Sequence, residues 1–402
     1  MNGADTAFVL LSAALVMFMT PGLGMFYGGM ARSKNVLGTI MHSFIMVALA
    51  TVVWIIIGYT LSFGDDIGGI IGGMNFFALN GVGMEAAPMA ENLPHLAFMI
   101  FQCMFAVITP ALITGAFAER IKFSGFLIFS VLWLIFVYSP MCHWVWGGGW
   151  MSKMGALDFA GGAVVHMSSG AAALAAAICL GKRRGYGKDA FIPHNLPMTL
   201  TGAAILWFGW FGFNAGSALA ANGSAANAFV TTHVATAAAA LAWILMEKLH
   251  LGKPTSLGAA SGAVAGLVAI TPGAGFVGPM SALIIGGVGG ALCYGGVLLK
   301  SRFGYDDSLD VVGIHGLGGT WGALATGLFA SEAIGGANGL FFGNPGQLWI
   351  QFVSVVATWG FCFTASFILF KVVDAIVGLR VTEEDEVRGL DVSLHSESGY
   401  LW

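Results

Sequence analysis

Long apolar stretches alternate with short polar segments along almost the whole chain of 402 residues. A helix needs about 20 mainly apolar residues to cross the hydrocarbon core of a bilayer. Stretches of that length occur eleven times, so the pattern predicts an all-α membrane protein with eleven transmembrane helices. The predicted spans, numbered 1 to 11 in chain order, cover residues 6–30, 37–62, 95–118, 124–146, 158–181, 196–219, 226–247, 256–275, 279–300, 311–331 and 347–378.

Basic residues follow the odd-numbered spans. They are Arg32 and Lys34, Arg120 and Lys122, Lys182, Arg183, Arg184 and Lys188, Lys248 and Lys253, Lys300 and Arg302, and Arg380 and Arg388. In loops after even-numbered spans we find only Lys153. Because loops rich in Lys and Arg stay in the cytoplasm, we predict an external N-terminus and a cytoplasmic C-terminus. Residues 1–379 then form a transmembrane domain, and residues 380–402 form a cytoplasmic tail.

The composition excludes a soluble domain. The chain is 57% hydrophobic and 9% charged, whereas a soluble domain carries about 25% charged residues. Its net charge of −4 is small and its charged residues are scattered along the chain, so nothing predicts binding to nucleic acid. Its 5 cysteines lie inside apolar runs without paired spacing, and no group of residues has the spacing of a metal or cofactor site. This composition therefore predicts a protein that is embedded in membrane lipid.

Two similarities suggest an internal repeat. His166 and His315 lie in glycine-rich stretches of spans 5 and 10, and in each a glycine follows four residues later. The tripeptide Ile-Thr-Pro occurs in spans 3 and 8, which are also five spans apart. Because five is odd, we predict inverted halves, at about residues 6–181 and 196–331, with span 11 outside the repeat. Inverted repeats are typical of transporters, whose substrate site lies near the membrane midplane.

A histidine inside an apolar span needs a hydrogen-bond partner, because an unpaired polar group costs several kcal/mol in hydrocarbon. The expected depths of His166 and His315 in the bilayer differ by roughly 10 Å, which is no more than the uncertainty of the helix ends. Two neutral imidazoles satisfy each other when one donates and the other accepts. We therefore predict that the two rings touch; for either residue alone, the alternative is a packed side chain bonded to a backbone carbonyl.

Aromatic residues from three spans are expected on the external side of these histidines. Phe101 and Phe105 share a face of span 3, and Phe213 and Ser217 share a face of span 6. Trp146 lies at the expected outer end of span 4. An aromatic face contributes about 0.5–2 kcal/mol per cation contact, so the set predicts a vestibule for a small cation above a phenylalanine constriction. An interfacial aromatic belt is the alternative.

Two further residues belong to the same region. Trp210 lies on the face of span 6 that carries Phe213. Asp158 opens span 5, where a carboxylate stabilises a helix N-terminus. A long-range attraction between this carboxylate and a cation in the vestibule is compatible with that capping role.

The chain resembles the ammonium transporter family, which comprises the Amt proteins and their Mep and Rh relatives. The stretches that carry the resemblance include "TPGLGMFYGGMARSKNVL" at 20–37, "FAERIKFSGFLIFS" at 117–130, "HWVWGGGWMSKMGALDFAGGAVVHMSSG" at 143–170, "WFGFNAGSAL" at 210–219 and "IHGLGGTWGAL" at 314–324. They extend over nearly the whole chain, and the complete vestibule favours the microbial Amt branch over the Rh branch.

The resemblance implies a plasma-membrane transporter, not an enzyme, that recruits ammonium outside, deprotonates it at a gate and passes ammonia to the cytoplasm. The implied site comprises pore histidines His166 and His315, a gate of Phe105 and Phe213, a recruitment site of Phe101, Phe105, Trp146 and Ser217, and supporting residues Asp158 and Trp210. The resemblance also implies that the proton is relayed separately by the histidines. A homotrimer and a PII-type signalling protein at the cytoplasmic face are also implied.

Other functions stay open on the sequence alone. An electroneutral ammonia channel and an ammonium sensor with little flux would use the same residues. A membrane redox protein with a haem between His166 and His315 is a third alternative, because two histidines are common axial ligands of haem iron.

Overall fold

The protein is almost entirely helical in the computed structural model, which describes residues 1–400. The principal helices are α1 (Gly3–Met30), α2 (Ser33–Phe63), α3 (His95–Phe117), α4 (residues 123–145), α5 (Gly162–Leu180), α6 (Leu196–Gly216), α7 (Gly223–Leu251), α8 (Ser256–Ile270), α9 (Pro279–Phe303), α10 (residues 312–329) and α11 (Pro345–Val377). Within the described residues, 9 helical segments are long and apolar enough to cross a membrane, and α8 and α10 are not among them. The chain is thus a helical membrane protein, while the count of eleven spans and the orientation of its ends stay predictions.

The loop between α2 and α3 carries two small antiparallel hairpins. Asp66–Ile67 pairs with Ile71–Gly72, and Ala86–Ala87 pairs with Ala90–Pro94. Strands this short leave no detectable alternation of apolar and polar residues, so the sequence pattern does not predict them.

Charged side chains join the loops that follow four odd-numbered helices, α1, α3, α5 and α9. Arg32 after α1 and Arg183 after α5 both contact the carboxylate of Glu119 after α3, at 2.8 and 3.3 Å. Arg183 also binds Asp306, which follows α9, at 2.9 Å. Burial acts to raise the pKa of Glu119, but the two guanidinium groups lower it overall. These helix ends therefore lie together at one end of the bundle, and we call Arg32, Glu119, Arg183 and Asp306 the ionic cluster.

The tail folds back onto the same end of the bundle. It forms two short helices, α12 (Glu383–Arg388) and α13 (Leu390–His395). The Asp391 carboxylate accepts hydrogen bonds from the backbone N–H groups of Leu37 and Gly38 at 3.0 and 2.8 Å. These N–H groups lie in the first α-helical turn of α2, where they have no partner within the helix. The carboxylate of Asp391 supplies that partner.

His166 and His315 occupy similar backbone settings. Each lies in a π-helical turn, Gly162–Met167 at the start of α5 or Val312–Gly316 at the start of α10. Eight residues before its histidine, each segment has an aspartate that caps the helix: Asp158 accepts from N–H groups of the first turn, the shortest at 2.6 Å, and Asp307 accepts from Val312 at 2.7 Å. Single π turns are frequent at functional sites.

The crossing of α5 and α10 depends on glycine. A Cβ added at Gly170 would lie 2.3 Å from the Cα of Gly316, and one added at Gly319 would lie 3.0 Å from the Cβ of His166. These are the glycines that follow the two histidines by four residues. Each one lets its helix approach the histidine-bearing turn of the other, so the two rings meet.

Replacing Gly170 by Ala should separate these helices and lower stability by about 1–3 kcal/mol, the usual cost of overpacking. Thermal unfolding of the purified protein in detergent measures the effect. Gly287→Ala in α9 is the matched control, because an added Cβ there meets nothing within 4 Å. Equal melting temperatures for the two variants would contradict the proposed role of the crossing.

Candidate functional site

An open cavity of about 230 Å³ enters the bundle at the end opposite the ionic cluster. Its wall is formed by Phe63, Met89, Phe98, Gln102, Phe105, Val145, Trp146, Phe159, Ser217 and Leu219. We call it the aromatic cavity. Gln102 and Ser217 bring an amide and a hydroxyl to this wall, so the site suits a small guest that is held by ring faces and a few hydrogen bonds.

Three of the four residues predicted for recruitment line this cavity: Phe105, Trp146 and Ser217. The fourth, Phe101, does not line it; its side chain is 0% exposed and packs edge-on against Phe105, with ring centroids 5.0 Å apart. Phe98, Gln102 and Phe105, at spacings of four and three, form the face of α3 that borders the cavity. Phe101 therefore supports the ring of Phe105 from the side.

The wall also contains residues that the sequence-based prediction does not include, among them Gln102, Phe63 and Phe159. Gln102 lies four residues after Phe98 and three before Phe105, so helical spacing alone places it on the same face as both. Phe63 is the last residue of α2 and Phe159 lies in the loop before α5, so helical periodicity does not place either of them in the wall.

A pair of phenylalanine rings closes the inner end of the cavity. The centroids of Phe105 and Phe213 are 4.5 Å apart, and both side chains are at most 1% exposed. Trp146 packs edge-on against Phe105 at 5.6 Å, on the cavity side. On the other side, Phe213 stacks against His166 at 6.0 Å. A guest that leaves the cavity toward the histidines must therefore move these rings.

The two histidines touch directly behind this pair. Their Nδ1 atoms are 3.2 Å apart, and the rings are nearly parallel, with 5.3 Å between centroids. One ring must carry a proton on Nδ1 and the other must present a lone pair there. Trp210 stacks on His166 at 5.3 Å, and its indole N–H donates to the hydroxyl of Thr271 at 3.0 Å. The predicted pairing of His166 and His315 is thus present as a hydrogen bond between buried rings.

His166 has one ring nitrogen to spare. Its Nε2 is buried and has no hydrogen-bond partner among the described residues. A polar atom left unpaired in this way is costly unless a guest or water bonds to it. The geometry therefore offers a binding position beside the ring of His166.

Asp158 lies beneath the wall of the cavity, not in it. Its carboxylate accepts hydrogen bonds from Gly161, Gly162 and Ala163 at 2.8, 2.6 and 2.7 Å, and its carbonyl oxygen accepts from the indole N–H of Trp146 at 2.9 Å. Asp158 thus caps α5 and at the same time fixes the orientation of Trp146.

A family model described as "Ammonium Transporter Family" matches residues 7–400. The chain belongs to the ammonium transporter family. It is 54% identical to an ammonium transporter of Bacillus subtilis, covering 100% of this chain and 99% of that protein. It is 50% identical to Ammonium transporter Amt1 of Archaeoglobus fulgidus, with 100% of both chains covered.

Solved structures of this family have the same fold. Mep2 of Saccharomyces cerevisiae is 35% identical, with a TM-score of 0.90 over 96% of this chain and 88% of Mep2. A structure described as "Sensor Amt Protein" is 29% identical, with a TM-score of 0.90 over 97% of this chain and 98% of its own. The ammonium transporter family is a family of transporters and not of enzymes, and this member is a multi-pass protein of the plasma membrane.

Replacing Asp158 by Ala should remove the cap of α5. Loss of an N-cap lowers stability by about 0.5–2 kcal/mol, so we expect a lower melting temperature. Asp158→Asn keeps one acceptor oxygen and should recover part of the loss. Thermal unfolding in detergent compares the two variants with the wild type. If Asp158→Ala melts like the wild type, the capping role is wrong.

Proposed function

We propose that the protein carries ammonium into the cell by recruiting the ion in the aromatic cavity, removing a proton at the phenylalanine pair and passing ammonia along the paired histidines. The observation that carries this proposal is the direct contact between His166 and His315 behind the closed rings of Phe105 and Phe213. Ammonium is the substrate that the family implies.

Recruitment uses forces suited to a small cation. The rings of Phe105 and Trp146 border the cavity, and an aromatic face attracts a cation by about 0.5–2 kcal/mol. The Ser217 hydroxyl donates its proton to the carbonyl of Phe213 at 2.8 Å. Its remaining lone pairs are therefore free to accept a hydrogen bond from ammonium. Phe101 acts by supporting the ring of Phe105.

Selection against potassium follows from the chemistry behind the gate. Potassium and ammonium are similar in size, but potassium neither donates a hydrogen bond nor loses a proton. A passage lined by neutral, buried imidazoles does not replace the hydration shell of a metal ion. Ammonia, by contrast, can donate or accept at a ring nitrogen such as the unpaired Nε2 of His166.

The histidine pair also supplies a path for the proton. Because one Nδ1 donates to the other, the free Nε2 of one ring presents a lone pair while that of its partner carries a proton. A proton accepted at the first position shifts along the pair and leaves at the second. Transport is then electrogenic, although the proton and ammonia are not carried as a single ion.

We further propose eleven membrane spans arranged as inverted halves, with the N-terminus outside and the tail inside. Arg32 and Arg183, which follow odd-numbered helices, meet at one end of the bundle, and this supports a shared cytoplasmic face. The matching aspartate-to-histidine spacing in α5 and α10 supports the repeat. A homotrimer, and a PII-type protein that contacts the tail and the cytoplasmic loops, complete the proposal.

A sensor with little flux is the second candidate, because the structure described as "Sensor Amt Protein" has the same fold with a TM-score of 0.90. An electroneutral ammonia channel would use the same cavity and histidines. Flux into proteoliposomes separates sensor from transporter, and current recorded on a solid-supported membrane separates the two modes of transport.

The double variant His166→Ala, His315→Ala should lose the ammonium-evoked current, because the proton then has no relay across the buried segment. Currents after an ammonium jump, compared with currents after a potassium jump, measure both transport and selectivity. Folding is controlled by gel filtration of each purified variant. Wild-type current and wild-type selectivity in the double variant would remove the relay from the mechanism.

Phe213→Ala should open the passage between the aromatic cavity and the histidines. Removing the ring leaves only Phe105 to close it, so we expect faster permeation by about tenfold or less, since one aromatic contact is worth about 0.5–1.5 kcal/mol. Phe211→Ala on the same helix is the matched control, because Phe211 stacks on Phe229 and lies outside the cavity wall. Equal rates for both variants would contradict a gate at this position.

A further inference from the structure

An aspartate at the start of α1 ties together three segments beside the aromatic cavity. Asp5 lies in the first turn of α1 and is buried. One of its carboxylate oxygens accepts from the backbone N–H of Ala221 at 2.8 Å, and the other accepts from the side-chain amide of Asn92 at 2.9 Å. The same amide donates a second hydrogen bond to the carbonyl oxygen of Leu219 at 2.7 Å. We call Asp5, Asn92, Leu219 and Ala221 the loop latch.

The loop latch joins elements that are far apart along the chain. Asn92 belongs to the second hairpin, in the strand Ala90–Pro94, whereas Leu219 and Ala221 lie in the loop between α6 and α7. The N–H of Asn2, just before α1, donates to the backbone carbonyl of Asn92 at 2.8 Å. The start of α1 therefore holds the hairpin on one side and the loop after α6 on the other.

Two wall residues of the aromatic cavity, Ser217 and Leu219, belong to the loop that the latch holds. Leu219 has a φ of 54°, in the left-handed region that residues with a Cβ rarely adopt. Such a conformation costs free energy and persists where the surrounding contacts hold it. The N–H of Leu219 donates to the carbonyl of Gly216 at 2.9 Å, and its carbonyl accepts from Asn92. The latch thus supplies the hydrogen bond on the carbonyl side of this strained residue.

We propose that Asp5 and Asn92 are positioning residues for ammonium recruitment, which keep the Ser217 hydroxyl and the Leu219 side chain in the wall of the aromatic cavity. Neither Asp5 nor Asn92 belongs to that wall, so both act through the loop after α6. The inference rests on the recruitment role proposed above for the cavity.

The loop latch acts on binding and not on the later steps of transport. The phenylalanine pair and the histidine pair lie on α3, α5, α6 and α10, and the bonds of the latch run to none of these helices. When the latch is broken, the loop is free to move, and Ser217 faces the guest in only a fraction of the molecules. A binding-competent state that is only partly populated lowers the apparent affinity by that fraction. We therefore expect weaker apparent affinity for ammonium at an unchanged maximal current.

A purely electrostatic role of Asp5 predicts a different pattern. A carboxylate near the cavity attracts a cation over a distance by its charge alone. Asn92→Ala keeps that charge and removes the two hydrogen bonds of the Asn92 amide. Asp5→Asn removes the charge but keeps an acceptor oxygen for the N–H of Ala221. The two variants therefore separate positioning from attraction.

The first experiment measures the loop directly, by hydrogen–deuterium exchange of the full chain in lipid nanodiscs without ammonium. Asp5→Ala and Asn92→Ala should speed exchange in the peptide that contains residues 217–222 by about threefold to tenfold, as for the loss of one hydrogen bond. Asp65→Ala is the matched control, because Asp65 forms a similar carboxylate–amide pair with Asn75 beside the first hairpin. Wild-type exchange in both latch variants would overturn the inference.

The functional test measures the apparent ammonium affinity and the maximal current on solid-supported membranes. Asp5→Ala and Asn92→Ala should each weaken the affinity by about threefold to tenfold and leave the maximal current unchanged. Asp5→Asn should recover part of the loss, because it keeps the bond to Ala221. The double variant Asp5→Ala, Asn92→Ala should lose less than the product of the two single losses, since the bond between these side chains is absent from both. Asp65→Ala should match the wild type.

Three results would contradict the proposed positioning role. Faster exchange without a loss of affinity would leave the latch a merely structural contact. Equal losses in Asp5→Ala and Asp5→Asn, with wild-type affinity in Asn92→Ala, would assign the effect to charge. A fall in maximal current at unchanged affinity would place the effect after recruitment.

If Asp5→Ala does not fold, Asn92→Ala carries both experiments, because Asn92 lies outside the helices. Absence of any ammonium current in the wild type would instead refute the proposed function, and the exchange data would still show whether the latch holds the loop.

Discussion

A hydrogen bond between two imidazole rings that are buried in the bundle constrains the whole architecture. The Nδ1 atoms of His166 and His315 approach to 3.2 Å only because α5 and α10 cross without side chains between them. The first N–H groups of a helix have no partner within that helix. Asp158 and Asp307 satisfy such groups at the start of the two helices, so a pair of capping carboxylates accompanies the pair of buried rings.

The histidine pair could be predicted because its signal is internal to the sequence. The sequence does not show which group pairs with an isolated histidine in an apolar span. When two histidines lie in equivalent spans of a repeat, each is the predicted partner of the other. The same logic identified the glycines that follow them. Apolar pattern does not mark helix ends to the residue: Trp146 and Asp158 lie in turns just outside the helices α4 and α5. That placement lets the Asp158 carbonyl bond the indole of Trp146.

The rotation of α3 could not be predicted in the same way. Most of α3 is buried, including Phe98, Phe101 and Phe105. A helix that is apolar on all sides has no polar face to mark which residues meet solvent. The sequence therefore suggested Phe101 as a cavity residue, where the structure has Gln102. Loop residues such as Phe159 are harder still, because no periodic pattern places them.

The chemistry of the aromatic cavity fits a site that must release its guest. None of the described residues in its wall is charged, and the nearby Asp158 carboxylate is already engaged by backbone N–H groups. A carboxylate in the wall would hold any cation, potassium included, and would oppose its departure. Conduction needs binding that is favourable enough for entry and weak enough for exit. Ring faces, one hydroxyl and one amide meet that condition. In the mechanism we propose, they leave discrimination to the buried histidines, where only a guest that gives up a proton finds a partner.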